Sequence, residues 1–189
     1  DVNQRYLTNL NRMEDTLKMQ ESTVAGSIEL VSRIKELSLQ GANDTYSASD
    51  RKTMAIEVKE LIRALADLGN MRGTDGAYLF SGYSQGQAPF SESSTGAVTY
   101  TGSADSLKVM VDDGRRMQLG ISGADIFGSV EHLNTSTGAT SRIDLFASLN
   151  NMHEALLTND GDAIRNNIDK VTSVHEHIIA QQSNIGSRM

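Results

Sequence analysis

The side chains that could do chemistry in this sequence are few, and their spacing limits what they can do. His175 and His177 flank Glu176, a trio that suggests metal ligands. On a helix, positions two apart point roughly 200° away from each other, so one ion cannot be reached by both imidazoles. What remains is one seam or packing histidine and one solvated histidine. His132 lies in a glycine-rich stretch, and His153 beside Glu154 lacks the partner four residues away that a zinc-binding helix requires. Asp112-Asp113 and Asp160-Gly161-Asp162 are paired carboxylates of a kind that could hold a cation. The first pair suits a turn and the second a helix break. No Glu follows where an EF-hand loop needs one, since Asp162 is followed by Ala163, Ile164, Arg165 and Asn166. Gly120-Ile121-Ser122-Gly123 lacks the flanks of a nucleophile elbow and reads as a strand end. No glycine-rich run leads into Lys-Ser or Lys-Thr, so a phosphate cradle is missing as well. The expectation is a chain with no catalytic residues, no cofactor and no metal.

Composition narrows the class further. Seventeen basic against 24 acidic residues give a formal charge of -7, with no basic block to follow a phosphate backbone, so nucleic acid is not an expected partner. The absence of Cys excludes disulfides, thiolate metal sites and cysteine nucleophiles together. Nothing approaches the roughly 18 apolar residues of a membrane span. With 38% hydrophobic residues, 5% aromatic and no Trp among 189 residues, helices that bury stripes are favoured over a thick globular core. The sequence starts at Asp1 and stops at Met189 while still in helical register, so a piece trimmed at both ends is expected.

The elements follow from periodicity. Tyr6, Leu10, Met13, Leu17, Gln20, Val24, Ser27, Val31 and Ile34 recur at alternating spacings of four and three, a heptad seam with two polar interruptions. The spacing predicts one helix from Val2 to about Leu39, on the order of 57 Å long. After a turn-rich segment, Ser47 or Ser49 is a plausible N-cap for a second helix. Its stripe is Met54, Val58, Leu61, Leu65 and Leu68, widened by Ile62, and it ends at Gly69-Asn70, where glycine suits a left-handed cap. These two helices should form an antiparallel hairpin. Leu145, Leu149, Met152 and Leu156 mark a further helix, interrupted at Asn159 to Asp162. A last heptad run then follows through Ile164, Ile168, Val171, His175, Ile178, Gln182, Ile185 and Met189.

Between these helices the helical period is lost. Leu107, Val109 and Val111 share one strand face and Met117, Leu119 and Ile121 the next, with Asp113-Gly114 suited to a type I′ turn. Val98 to Thr101 and Tyr78 to Tyr83 are further strand candidates, Ile126-Phe127 could close the unit, and 134–141 reads as a polar loop. The expected fold class is α+β: an elongated, coiled-coil-like antiparallel bundle with a small antiparallel β insert from about Gly76 to Gly128. In domains this gives 1–75 with 141–189 as a discontinuous bundle, and 76–140 as the β-rich insert. Pairing the first and last helices so that residue numbers sum to 195 aligns Leu10 with Ile185, Leu17 with Ile178 and Val24 with Val171. Gln20 then faces His175 as a buried polar layer. Together with Leu61 and Leu65 these residues are the expected seam. Arg33, Lys35, Arg51 and Lys59 mark polar faces available for contacts between subunits.

One local stretch stands out: Gly76 to Phe90, GAYLFSGYSQGQAPF, which holds the chain's one Pro and two of its four Phe. Phe80 and Phe90 are expected to pack together as the insert's nucleus. The segment Tyr78-Leu79-Phe80-Ser81-Gly82 with Pro89-Phe90 downstream, set directly after a heptad hairpin, resembles the hook-associated branch of the flagellin superfamily. The resemblance continues through Tyr100-x-Gly102, Ile121-x-Gly123-x-x-Ile126-Phe127 and the Asn184-to-Met189 ending, and covers nearly the whole chain. Flagellins share the helices but differ after the second one, so the branch that joins hook to filament is the better match. The resemblance implies a secreted structural subunit of the extracellular bacterial flagellum, exported unfolded through the flagellar secretion channel, with an export chaperone among its partners. It also implies a junction ring between the first hook-associated protein and flagellin that transmits torque without any cofactor. The alternatives are a flagellin-like filament subunit, a sensory coiled-coil module with a ligand-binding insert, or a hydrolase hidden in the insert.

Overall fold

The computed structural model describes residues 2–189; Asp1, the first residue of the expected bundle, lies outside them. The fold is α+β. Helix α1 runs over Val2–Gly41, α2 over Ala48–Gly69, α4 over Leu145–Leu157 and α5 over Gly161–Gly186, and these four pack side by side. Between α2 and α4 lie β1 (Phe90–Glu92), β2 (Val98–Tyr100), β3 (Lys108–Asp112), β4 (Arg115–Gln118), the short helix α3 (Gly123–Phe127), β5 (Ser129–Leu133) and β6 (Thr140–Asp144).

The α1 seam forms a single face: Met13, Leu17, Gln20, Val24, Ser27, Val31 and Ile34 are all buried, with Tyr6 and Leu10 half-buried at its start. Helix α2 begins at Ser47, whose hydroxyl accepts the Asp50 N–H while the Asp50 carboxylate accepts the Ser47 N–H. That reciprocal box decides between the two candidate caps. Its buried face is Met54, Ala55, Val58, Ile62 and Leu65, with Leu61 and Leu68 only half-buried. The stripe is thus turned toward Ile62, because α2 is covered by both α1 and α4 and must bury a broad 3.6-residue face, not a narrow seam.

Helix α5 buries Ile164, Val171, Val174, Ile178 and Ile185 and leaves Ile168, His175 and Gln182 half-buried; Met189, expected to continue the seam, lies beyond the helix and is exposed. Its register on α1 differs from the expected one. The Gln182 amide donates to Glu21 at 2.9 Å, whereas numbers summing to 195 would set Glu21 against Val174, so α5 sits about one heptad further along. A heptad seam cannot distinguish such slips by itself; contacts outside the seam must do so. The start of α1 is accordingly covered by β3, with the Asn9 amide donating to the Met110 carbonyl at 2.7 Å.

The insert is not one sheet. β1–β2, β3–β4 and β5–β6 are three separate antiparallel pairs, each too small to stand alone, and their apolar faces join one hydrophobic cluster with the helices. Tyr78 to Tyr83 is not a strand: Tyr78 makes an isolated bridge with Arg72, and turns follow. The Asp113-Gly114 turn is not type I′. Among the described residues only Asn159 outside the glycines has positive φ, so Gly114 at 72° takes the strain alone, and the register shifts between Met110 and Asp112. Ile126-Phe127 closes the unit as part of α3, capped by Ser122, so the Gly120 to Gly123 stretch is a helix entrance. The β5–β6 pair, unexpected from the sequence, takes the end of the polar stretch and leads straight into α4.

Candidate functional site

The 78–90 motif lies where the insert meets the bundle, and its geometry is built from α2 upward. At the end of α2 the Asn70 side chain pairs with Phe90 twice, accepting the Phe90 N–H and donating to the Phe90 carbonyl, both at 2.9 Å. The preceding Gly69 is not in the left-handed region. A Cβ there would come within 2.6 Å of the Phe90 ring, so glycine serves close approach and not capping.

Phe90 is thereby held among aromatic neighbours: Tyr100 at 5.1 Å, Phe127 at 5.6 Å and Phe146 at 5.6 Å between centroids. Phe127 stands edge-on to Phe90 and also to Phe80, the latter at 5.4 Å and 85°, the arrangement ring quadrupoles favour. Phe80 and Phe90 therefore meet through Phe127, and the chain's four Phe form one connected group. The Tyr100 hydroxyl lies 2.9 Å from the Phe80 carbonyl and 2.7 Å from that of Ser103, and burial pushes its pKa up.

The rest of the motif is backbone fastening. Ser81 is buried, donates to the Tyr78 carbonyl at 3.1 Å and accepts the Ser103 N–H at 3.0 Å. Gly82 has φ +60°, and a Cβ would lie 2.5 Å from the carbonyls of Ser103 and Asp105, so a side chain is excluded twice. The Pro89 carbonyl accepts the Thr101 N–H at 2.7 Å. Tyr78 is half-exposed under the Arg72 guanidinium, 4.2 Å from its ring centroid.

Gln20 ties this loop to α1. Fully buried, its amide donates to the carbonyls of Leu79 and Ile121 at 2.8 Å each and accepts the Ile121 N–H at 2.9 Å. The expected Gln20–His175 layer does not exist: Gln20 faces the insert. Its signal was its polarity on an apolar seam; its partners, being backbone groups, left no pattern. Of the expected seam residues, Leu17, Val24, Leu65, Val171, Ile178 and Ile185 are buried, and Leu10 and Leu61 are half-buried.

The other polar candidates act as fasteners. Asp160 caps α5 by accepting the Ala163 N–H at 2.9 Å, and Asp112 accepts the Asp113 N–H at 2.8 Å. Arg51 is buried and donates to the Gly41 carbonyl and the Asn159 side chain, and Lys59 donates to the Gly96 carbonyl; neither is the open surface expected. Arg33 pairs with Glu57 at 2.7 Å. Buried His132 meets the Ser173 hydroxyl at 3.0 Å, and His153 donates to the Ala55 carbonyl at 2.9 Å. His177, expected to be solvated, donates through Nε2 to the carbonyls of Asp125 and Ile126 at 3.0 and 3.1 Å, fastening α3 to α5. Among the described residues no group of three or more His, Asp or Glu is placed to hold a metal. A groove of about 340 Å³ between α1 and 73–85 holds Arg12, Asp15 and Asp75. There the Ala77 N–H, followed by Arg12, keeps the Asp75 carboxyl below its usual range, so it is not a poised proton donor.

Burial, reinforced by Arg142, lowers the pKa of His177; burial, reinforced by Lys35, lowers that of His175. A depressed folded-state value means that the unfolded chain binds protons first as pH falls. Stability from these groups is therefore complete above the ordinary histidine pKa of about 6.5 and is lost as pH falls below it. Urea midpoints measured from pH 7.5 to 5 should decline, and His177→Gln should flatten the decline; an unchanged slope would refute the assignment.

Comparison with known proteins places this geometry. Residues 3–85 match the model of the bacterial flagellin N-terminal helical region. Over 149 residues the chain is 32% identical to flagellar hook-associated protein 3 of Escherichia coli, across 78% of this chain and 46% of that protein. Over 75 residues it is 29% identical to the flagellar filament 33 kDa core protein of Treponema phagedenis, covering 40% of this chain and 26% of that one. The chain spans less than half the length of the hook-associated relatives it matches. A crystal structure of Xanthomonas campestris FlgL superposes with a TM-score of 0.87 at 19% identity, covering 99% of this chain and 90% of that one. The flagellar junction protein FlgL of Legionella pneumophila gives 0.81 at 16% identity, over 99% and 95%. These structural likenesses show the shared fold.

Proposed function

We propose, from the premise that this chain is a homologue of flagellar hook-associated protein 3, that it is a structural subunit of the bacterial flagellum that joins hook to filament and transmits torque. The observation that carries the proposal is the 32% identity to that protein across 78% of the chain. The geometry fits the task. Torque passing along a rod becomes shear between its elements. Here α1, α2, α4 and α5 share a long apolar contact, while Gln20, Asn70 and Lys59 bond the 76–140 insert to it. The bundle of 1–75 with 141–189 is thus the stiff member, and the insert, fastened at several points, turns with it.

Copies of such a rod build a ring through head-to-tail contacts, because a self-pairing patch would close a dimer and stop. The partners in this proposal are the first hook-associated protein on one side, flagellin on the other, and an export chaperone before secretion to the extracellular flagellum. The subunit catalyses nothing and needs no cofactor. Among the described residues no helix is long and apolar enough to cross a membrane. Deleting the encoding gene in the source bacterium is the test: hooks without filaments, flagellin released to the medium and lost swimming are expected. Cells that still carry normal filaments would overturn the proposal.

A further inference from the structure

On this acidic chain one small cleft is lined by two arginines and a single carboxylate. The cleft, of about 270 Å³, lies between α3, the start of β5, β6 and the last turns of α5. Into it face Arg142, Arg188, His177, Gln181 and Asn184, with Asp125 as the one carboxylate. Arg142 donates through Nε to the Ser129 hydroxyl at 3.0 Å, and Arg188 donates to Asn184 at 3.2 Å and Gln118 at 2.8 Å. These are neutral partners. Among the described residues neither guanidinium has a carboxylate within ion-pair distance, unlike those of Arg12, Arg33, Arg51, Arg63 and Arg165; Arg72, Arg115 and Arg116 lack one too, and what sets Arg142 and Arg188 apart is that both line one cleft. Glu131, directly across the β5–β6 pair from Arg142, forms no ion pair with it, and Asp125 accepts the Ser122 hydroxyl at 3.0 Å.

We propose that this cleft receives a carboxylate, and that the carboxylate is presented by a second copy of this chain. Two guanidiniums, each hydrogen-bonded to neutral side chains, give neighbouring donors of the kind that suits planar oxyanions. The chain itself carries 24 acidic against 17 basic residues, so another copy offers such a cleft carboxylates in excess of cations. This occupant rests on the self-assembly in the proposed function: a head-to-tail ring needs two unlike faces, and a basic cleft meeting an acidic surface supplies them.

His177 is a built-in reporter. Its Nε2–H is committed to the two α3 carbonyls, so Nδ1 takes the proton, and the charge on Arg142 opposes that event. A carboxylate in the cleft offsets that charge, so the His177 pKa must rise when the cleft is filled. The experiment follows the His177 ring by NMR across pH in isotope-labelled chain, with His132 as a control for the fold. One arm adds sodium acetate against sodium chloride at equal ionic strength. The other adds unlabelled chain to millimolar concentration.

The expected result is an upward shift of the His177 titration in both arms, abolished in Arg142→Gln/Arg188→Gln with the fold unchanged. No response to acetate would overturn the carboxylate site. A response to acetate but none to unlabelled chain would overturn the second copy as its source. Neither outcome depends on the hook-filament role, which the gene deletion tests separately.

Discussion

Phe127→Ala should cost about 3–5 kcal/mol of folding stability, the range for removing a buried aromatic side chain. The loss belongs at the top of that range because collapse is restricted. Phe127 is 1% exposed and is the ring through which Phe80 and Phe90 meet. Its neighbours are anchored independently: Phe90 by the Asn70 amide, Phe80 by bonds to its own carbonyl from Gly123 and Tyr100. None is free to fill the void. Urea denaturation of the purified chain measures the effect, and a loss under about 1 kcal/mol would show that the aromatic group repacks. A Phe80/Phe127 double-mutant cycle should add a coupling of about 0.5–1.5 kcal/mol beyond simple burial. Under the proposed junction role, the same substitution in the source bacterium should impair motility with the hook intact, since the insert would be loosened from the rod and not removed.

How far the sequence reveals this molecule depends on the range of each signal. The long helices are legible because a seam such as Met13, Leu17, Val24 and Val31 repeats its evidence every turn, and the caps Ser47 and Asp160 mark the ends chemically. The rotation of α2 toward Ile62 is less legible, since it depends on α4 lying on the second flank. The register of α5 is less legible still: Leu, Val and Ile at heptad positions accept a one-heptad slip, and the decisive Gln182–Glu21 contact lies outside the seam. In the insert, the strands β1 to β6 are at most five residues long, too short for alternation to separate strand from turn; β5 shows just Val130 and His132 buried. The motif is visible as a composition, but its centre, Phe127, is distant in sequence and has no periodic neighbours.

Gln20→Leu should likewise cost about 3 kcal/mol or more, although it places an apolar side chain on an apolar seam. The reason is the condition in which it leaves its partners. The Ile121 N–H and carbonyl bond to the Gln20 amide in a buried place, and the Leu79 carbonyl does so in a half-buried one. Each buried group left unpaired costs about 1–3 kcal/mol, more than the gain from burying two methyl groups at about 0.8 kcal/mol each. Gln20→Glu should be worse than Gln20→Leu at neutral pH, because it sets a carboxylate against two carbonyl oxygens and buries the charge. The order Gln, then Leu, then Glu is the discriminating result; if Leu equals or exceeds Gln in denaturation midpoint, the amide is a space-filler and not a tie. Hydrogen exchange adds the location. If Gln20 holds the insert on α1, the Ile121 amide should lose protection in Gln20→Leu well before the amides around Val31, since the loop can detach while the far end of the seam stays closed.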